Sequence, residues 1–285
     1  MKNILSFLFK VSRFRFWIYT GGTYVVGYAL AATLFSDFMR LEYYIYLAYF
    51  FFPANVFIYG VNDFWDQDTD ELNPKKDEKE HRLKSRERKR LLYSIYAITG
   101  LSLILMLFQN FGERLIFAGF LLLAYFYSAP PMRFKERPFL DFSSNYLYIM
   151  PGLFAYYMVA GELPAWFIML AAYCHIAAMH IFSAIPDIEY DMRTGIRTTP
   201  VVIGEKASLI LCLIFWTTLS LIVLQTAQFN PLSFLVLIYP LFPSGLLLFR
   251  DLRIEKLYWY LPYVNTSLGG LLFLALINHH VFNWI

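Results

Sequence analysis

The chain has 285 residues, of which 59% are hydrophobic, 20% aromatic and only 16% charged, with a mean hydropathy of +0.49 and a formal net charge of +3. Soluble domains carry roughly a quarter charged residues, so this composition argues against a soluble protein and for one embedded in a membrane. The small net charge, with basic residues spread over short loops and mixed with acids, argues against a nucleic-acid partner.

A spanning helix needs about 20 mostly apolar residues. Nine candidate segments occur, centred near residues 25, 51, 100, 121, 152, 175, 218, 241 and 271. Glycine and proline interrupt several of them, which membrane helices tolerate. The expected architecture is an all-α, polytopic membrane protein. It should form a single domain over residues 1–285, with about nine helices in a ring around a central cavity.

Lys2, Lys10, Arg13 and Arg15 precede the first segment. Lys10, Arg13 and Arg15 break up the apolar N-terminal stretch, so no cleavable signal peptide is expected. The second segment runs into NDFWDQDTD, Asn62 to Asp70. Carboxylates are costly near a bilayer and mark function there, and aspartates four apart share one helix face. An oxygen-rich cluster suits a hard cation such as Mg²⁺, which takes one or two carboxylates together with substrate phosphates. Diphosphate chemistry is therefore expected.

A polar stretch follows, Pro74 to Arg90. After Asp77 its alternating acids and bases read as a solvated loop or a short surface helix. Lys75 and Lys76, just before, are candidates to contact a phosphate. The third and fourth segments come next, the fourth being the shortest at Leu115 to Ser128. It leads into YSAPPMRFK, which holds Tyr127, Arg133 and Lys135.

The sixth segment runs into DIEYD, Asp187 to Asp191, the second acidic cluster. Asp68, Glu71 and Glu189 fall between the key positions and are expected to face solvent. Cys174 and Cys212 lie inside spans and read as small packing residues. His175 and His180 read as packing residues too, and His279 and His280 fall at the opposite face.

The two halves of the chain form a weak repeat, each carrying an apolar helix that ends in aspartates. In a ring of helices the two clusters would face each other across one site. With nine spans, every Lys and Arg except Arg40 and Arg114 falls on the side of the N-terminus. The positive-inside rule then places the N-terminus and both acidic clusters at the cytoplasmic face of the cytoplasmic membrane, among membrane lipids, with the C-terminus outside.

At these residues the chain resembles the UbiA superfamily of intramembrane prenyltransferases. Asn62, Asp63, Asp66 and Asp70 match its NDxxDxxxD motif, Asp187 and Asp191 its DxxxD motif, and Tyr127 and Lys135 its intervening tyrosine-and-lysine segment. Within the superfamily, GVNDFWDQDTDELNPKK, PPMRFKERPFLDFSSNYLY and DIEYDMRTGIRTTPVVIGEK are most similar to the lycopene elongase branch. Many members have arginines after the first motif where this chain has Asn73-Pro74-Lys75-Lys76. A lysine is a point charge without the planar fork that suits a carboxylate, which disfavours an aromatic-acid acceptor.

The resemblance implies transfer of an allylic group from its diphosphate to a lipophilic acceptor. Mg²⁺ held by Asp63, Asp66, Asp187 and Asp191 would stabilise the charge that develops on the leaving diphosphate. Asn62, Asp70, Lys75, Lys76, Arg133 and Lys135 would bind substrate, and Tyr127 would offer an aromatic face to the cation. The donor expected is dimethylallyl diphosphate and the acceptor the end of a linear carotenoid such as lycopene. Prenylation of an aromatic ring in quinone, haem or chlorophyll-type pathways is the alternative enzyme reading. A transporter is disfavoured, because its site would sit near the bilayer midplane rather than at the helix ends.

Overall fold

The computed structural model describes residues 2–66, 83–249 and 251–282. They are all-helical, and no strand occurs among the described residues. Among the described residues, seven helices are long and apolar enough to cross a membrane: Leu41–Trp65, Ser85–Leu107, Phe111–Ser128, Trp166–Thr194, Glu205–Thr226, Pro231–Leu248 and Ile254–Ile277. They match seven of the nine expected segments. The other two, near residues 25 and 152, are shorter than expected: α2 (Gly21–Ala31) and an apolar helix at Met150–Ala160 have 11 residues each. Each follows a 3₁₀ stretch, Phe14–Tyr19 in one case and Ser144–Tyr148 in the other. The chain is a multi-pass membrane protein whose first and fifth apolar segments are broken helices.

The described chain falls into two compact units. Unit one is residues 1–133, 150–163 and 269–285. It holds α1 (Lys2–Val11), α2, α3 (Leu41–Phe51), α4 (Pro53–Trp65), α5 (Arg88–Leu107) and α6 (Phe111–Ser128). Of the remaining helices, Met150–Ala160 also belongs here and is α8, numbered after the short α7 (Leu140–Ser143) of unit two.

The second expected span is itself two helices, because Pro53 lacks an N–H and frees the carbonyls of the preceding turn. Asn55 re-satisfies them: its Nδ2 donates to the carbonyls of Phe50 and Phe51 at 3.0 Å each and to Thr20 Oγ1 at 2.6 Å. The Thr20 hydroxyl donates in turn to the Phe50 carbonyl at 2.7 Å. Lipid cannot supply these hydrogen bonds, so side chains must.

α2 and α8 pack backbone to backbone. A Cβ added at Gly27 would collide with the Gly152 carbonyl, and one at Gly152 would lie 2.8 Å from the Thr23 carbonyl oxygen. Small residues at such crossings let membrane helices gain van der Waals contact where no hydrophobic force drives them together. Around them Tyr46, Tyr49, Phe50, Phe117, Phe120 and Phe154 form a ring-on-ring core. Its tyrosine hydroxyls have partners, Ser102 Oγ at 2.6 Å from Tyr49 and the Gln109 amide at 3.0 Å from Tyr46.

Unit two is residues 134–149 and 164–268. It holds α7, α9 (Trp166–Ala184), α10 (Ile188–Thr194), α11 (Thr199–Ile203), α12 (Glu205–Thr226) and α13 (Ile238–Leu248). α14 (Ile254–Ile277) starts in this unit and ends in unit one. α9 and α12 pack along their lengths around Trp216, which is fully buried against Phe182, Tyr239 and Phe242. Cys174 and Cys212 are buried, free thiols, as their apolar surroundings suggest, and Cys212 Sγ donates weakly to the Ala178 carbonyl at 3.4 Å. His175 packs edge-on against the Tyr239 ring.

Candidate active site

The first acidic motif sits at the C-terminal end of α4, where the helix leaves the apolar segment. Asn62 and Asp66 are four apart and lie on one face: Asn62 Nδ2 donates to Asp66 Oδ2 at 2.7 Å and to Ser128 Oγ at 2.9 Å. The amide therefore ties the motif to the end of α6, beside the half-buried Tyr127. Asp63 and Asp66 are 1% and 4% exposed. Carboxylates so deeply buried need compensating charge, and two arginines supply it. Arg13 Nη2 lies 2.7 Å from Asp63 Oδ1, and Arg133 Nη2 lies 3.7 Å from Asp66 Oδ1.

Arg13 is also stacked over the Tyr59 ring, 4.7 Å from its centroid, a cation–π contact one turn before Asp63. Both arginines have a left-handed backbone, φ 50° at Arg13 and φ 42° at Arg133. That conformation costs a non-glycine residue about 1–2 kcal/mol. It persists where surroundings over-determine it, and such outliers gather at functional sites. Arg133 is where the sequence places a phosphate-binding residue. Arg13 reads in the sequence as ordinary positive-inside charge, and the 50 positions between it and Asp63 leave no local signal of the pairing.

The second motif lies in unit two. Asp187 stands at the N-terminal boundary of α10 and is half-buried, while Asp191 is 8% exposed. The helix ends at Gly195 in the left-handed region, φ 75°, as a helix C-terminus favours. The chain then turns back, with the Ile196 N–H donating to the Asp191 carbonyl at 2.9 Å. The turn brings Thr198 round, whose hydroxyl donates to Asp191 Oδ2 at 3.1 Å. Glu189 faces solvent as expected, in an exposed pair with Arg193. Lys135 is half-buried in the 3₁₀ turn Phe134–Glu136 of the same unit. Asp70, Lys75 and Lys76, as well as Asp68 and Glu71, lie outside the described residues.

Among the described residues no three His, Cys, Asp or Glu groups come together as a ready-made metal cage. The donor set still fits Mg²⁺, which binds through one or two carboxylates and leaves other positions to water and phosphate. Buried carboxylate oxygens are the right chemistry for such an ion.

Comparison with known proteins decides the family. The sequence model of the UbiA prenyltransferase family matches residues 21–259. The chain belongs to the UbiA prenyltransferase family. It is therefore a prenyltransferase. The chain is 39% identical over 271 residues to a lycopene elongase/hydratase of Haloferax volcanii, covering 95% of this chain and 88% of that protein. It is 37% identical to a lycopene elongase/hydratase of Haloarcula japonica, with 94% and 90% covered. Among solved structures, a UbiA homolog from Archaeoglobus fulgidus bound to GPP and Mg²⁺ has the same fold, with a TM-score of 0.69 at 22% identity, covering 93% of this chain and 98% of that one. A UbiA homolog from Aeropyrum pernix K1 gives a TM-score of 0.70 at 16% identity, with 93% and 98% covered.

Proposed function

We propose that this UbiA prenyltransferase moves a dimethylallyl group from its diphosphate to the end of a linear carotenoid such as lycopene, with Mg²⁺ held by carboxylates of both aspartate motifs. The observation that carries this reading is the 39% identity to a lycopene elongase/hydratase over 95% of the chain. A structural neighbour from Archaeoglobus fulgidus is bound to DMAPP and Mg²⁺, which supports the donor and the metal.

The chemistry can be followed through the chain's own residues. The allylic C–O bond breaks and its electron pair leaves with the diphosphate. When bound, Mg²⁺ would neutralise that charge as a Lewis acid. Asn62, locked between Asp66 and Ser128, orients the Asp66 carboxylate. Arg133 lies 3.7 Å from Asp66 and brings a planar fork suited to a phosphate into the site, whereas Arg13 pairs with Asp63 at 2.7 Å over the Tyr59 ring. Lys135, Lys75, Lys76 and Asp70 complete the donor-binding set in this reading, and Tyr127 offers its ring to the cation.

The terminal double bond of the polyene attacks the allylic carbon and forms the new C–C bond, leaving a tertiary cation. Water adds to it and gives up a proton, in keeping with the hydratase activity in the names of both relatives. The acceptor and membrane lipids share one apolar phase, so the carotenoid arrives from the bilayer. The motifs face the cytoplasm, where the soluble donor is.

Expression in a lycopene-producing host tests the reading. Carotenoids one or two five-carbon units longer, some carrying an added water, are expected, and Asp66→Ala or Asp191→Ala should abolish them with the protein still folded in the membrane. Unchanged carotenoids with an accumulating prenylated aromatic compound would overturn the acceptor.

A further inference from the structure

A second buried carboxylate in unit two has no place in the transfer chemistry. Asp141, on α7, is fully buried. Burying an ionised carboxylate is costly unless its oxygens are hydrogen-bonded, and here one residue serves both. The Thr199 N–H donates to Asp141 Oδ2 at 2.6 Å, and the Thr199 hydroxyl donates to Asp141 Oδ1 at 2.5 Å.

Thr199 is fixed from a second direction. Its Oγ1 accepts the Phe139 N–H at 2.7 Å, and Phe139 itself has a left-handed backbone, φ 67°. Asp141 is held in turn by Asn145, whose Nδ2 donates to the Asp141 carbonyl at 2.6 Å. Thr199 is the first residue of α11, and its neighbour Thr198 is the residue whose hydroxyl reaches Asp191. Thr198 and Thr199 are 7% and 0% exposed. A continuous path therefore runs from the Asp141 carboxylate through Thr199 and the peptide link to the Thr198 hydroxyl, and so to the carboxylate of the second motif.

We propose that Asp141 is a positioning residue for Asp191: it fixes the Thr198–Thr199 pair so that the Thr198 hydroxyl holds the Asp191 carboxylate in one orientation. The inference rests on the reading of Asp191 as a metal-binding carboxylate. Partners that orient a ligating carboxylate are worth about 10–100-fold in metal affinity or activity. Asp141→Asn leaves one acceptor oxygen for two donors, so one of the two bonds that anchor Thr199 is lost while the side-chain volume stays.

The test uses the full chain in detergent and reads Mn²⁺ binding by electron paramagnetic resonance, in the presence of dimethylallyl thiodiphosphate, a donor analogue that does not ionise. Asp141→Asn and Thr198→Val should each weaken Mn²⁺ binding about 10–100-fold. Thr198→Ser, which keeps the hydroxyl, should bind Mn²⁺ as the parent protein does. The double variant should be no worse than the weaker single, because both changes break the same path.

A protein in which Asp191→Ala abolishes Mn²⁺ binding, while Asp141→Asn lowers only the melting temperature, overturns the proposal alone. If the parent protein binds no Mn²⁺, or Asp191→Ala binds it unchanged, the metal reading falls and the proposal with it. Should Asp141→Asn not fold, Thr199→Val decides. It removes the hydroxyl but keeps the N–H, and unchanged Mn²⁺ affinity in that variant overturns the path.

Discussion

Asp63 and Asp66 are three residues apart, equally buried, and held by arginines in different ways. At 2.7 Å, with Tyr59 beneath it, Arg13 makes a closed, charge-assisted pair with Asp63. At 3.7 Å, Arg133 makes a loose one with Asp66. The side chain of Arg13 is only 13% exposed, against 31% for Arg133. Removing one partner of a buried pair costs about 3–5 kcal/mol, because the other charge stays behind in a poorly solvated place. Asp63→Ala is therefore predicted to lower stability by about that amount, whereas Asp66→Ala should cost less than half of it and act instead on turnover. Thermal unfolding of both variants in the same detergent checks this, and equal melting temperatures would contradict it. Arg13→Lys should recover little, since an ammonium cannot both face the Asp63 carboxylate and lie flat on the Tyr59 ring.

At the scale of elements, glycine has two different meanings in this chain. Gly27 in α2 and Gly152 in α8 are places where two backbones touch, and a methyl group at either has nowhere to go. Gly100, inside α5, meets nothing within 4 Å of an added Cβ. Overpacking a tight crossing costs about 1–3 kcal/mol. Glycine inside a helix is about 0.5–1 kcal/mol worse than alanine. Gly27→Ala is predicted to destabilise and Gly100→Ala to be neutral or mildly stabilising, measured by thermal unfolding in detergent. The reverse order would mean that the α2–α8 contact does not hold unit one together. The helices of this crossing are also the two short ones, in the first and fifth apolar segments. Hydropathy counts residues, whereas the chain upstream of these helices is held by long-range bonds, from the left-handed Arg13 to Asp63 and from the left-handed Phe139 N–H to Thr199.

For the whole molecule, the distribution of Lys and Arg remains the basis for orientation. With nine apolar segments, Arg40 and Arg114 alone fall on the far side, so we propose a cytoplasmic N-terminus and an external C-terminus. Cys174 and Cys212 are both buried, so a single cysteine added near the C-terminus reports cleanly. An impermeant thiol reagent should label it in intact cells. Labelling only after the cells are opened would invert the topology and place the aspartate motifs on the wrong side for a soluble diphosphate.

Composition and residue spacing are enough for the class and the chemistry. Apolar runs of membrane length, broken by Pro and Gly, can bury their backbone polar groups only as helices. Aspartates at helical spacing at the ends of two such runs name an oxygen-binding, charge-handling motif. These are local properties, periodicity and composition, and they survive without knowledge of the fold. Which charges meet depends on how the chain packs. Arg13 reaches Asp63 across 50 positions and Thr199 reaches Asp141 across 58. Asn62 joins α4 to α6 through Ser128 across 66 positions. Nothing in the spacing of those residues announces a partner. Their pairing follows from burial, because a charge or amide removed from water must find its counterpart wherever packing brings one within reach.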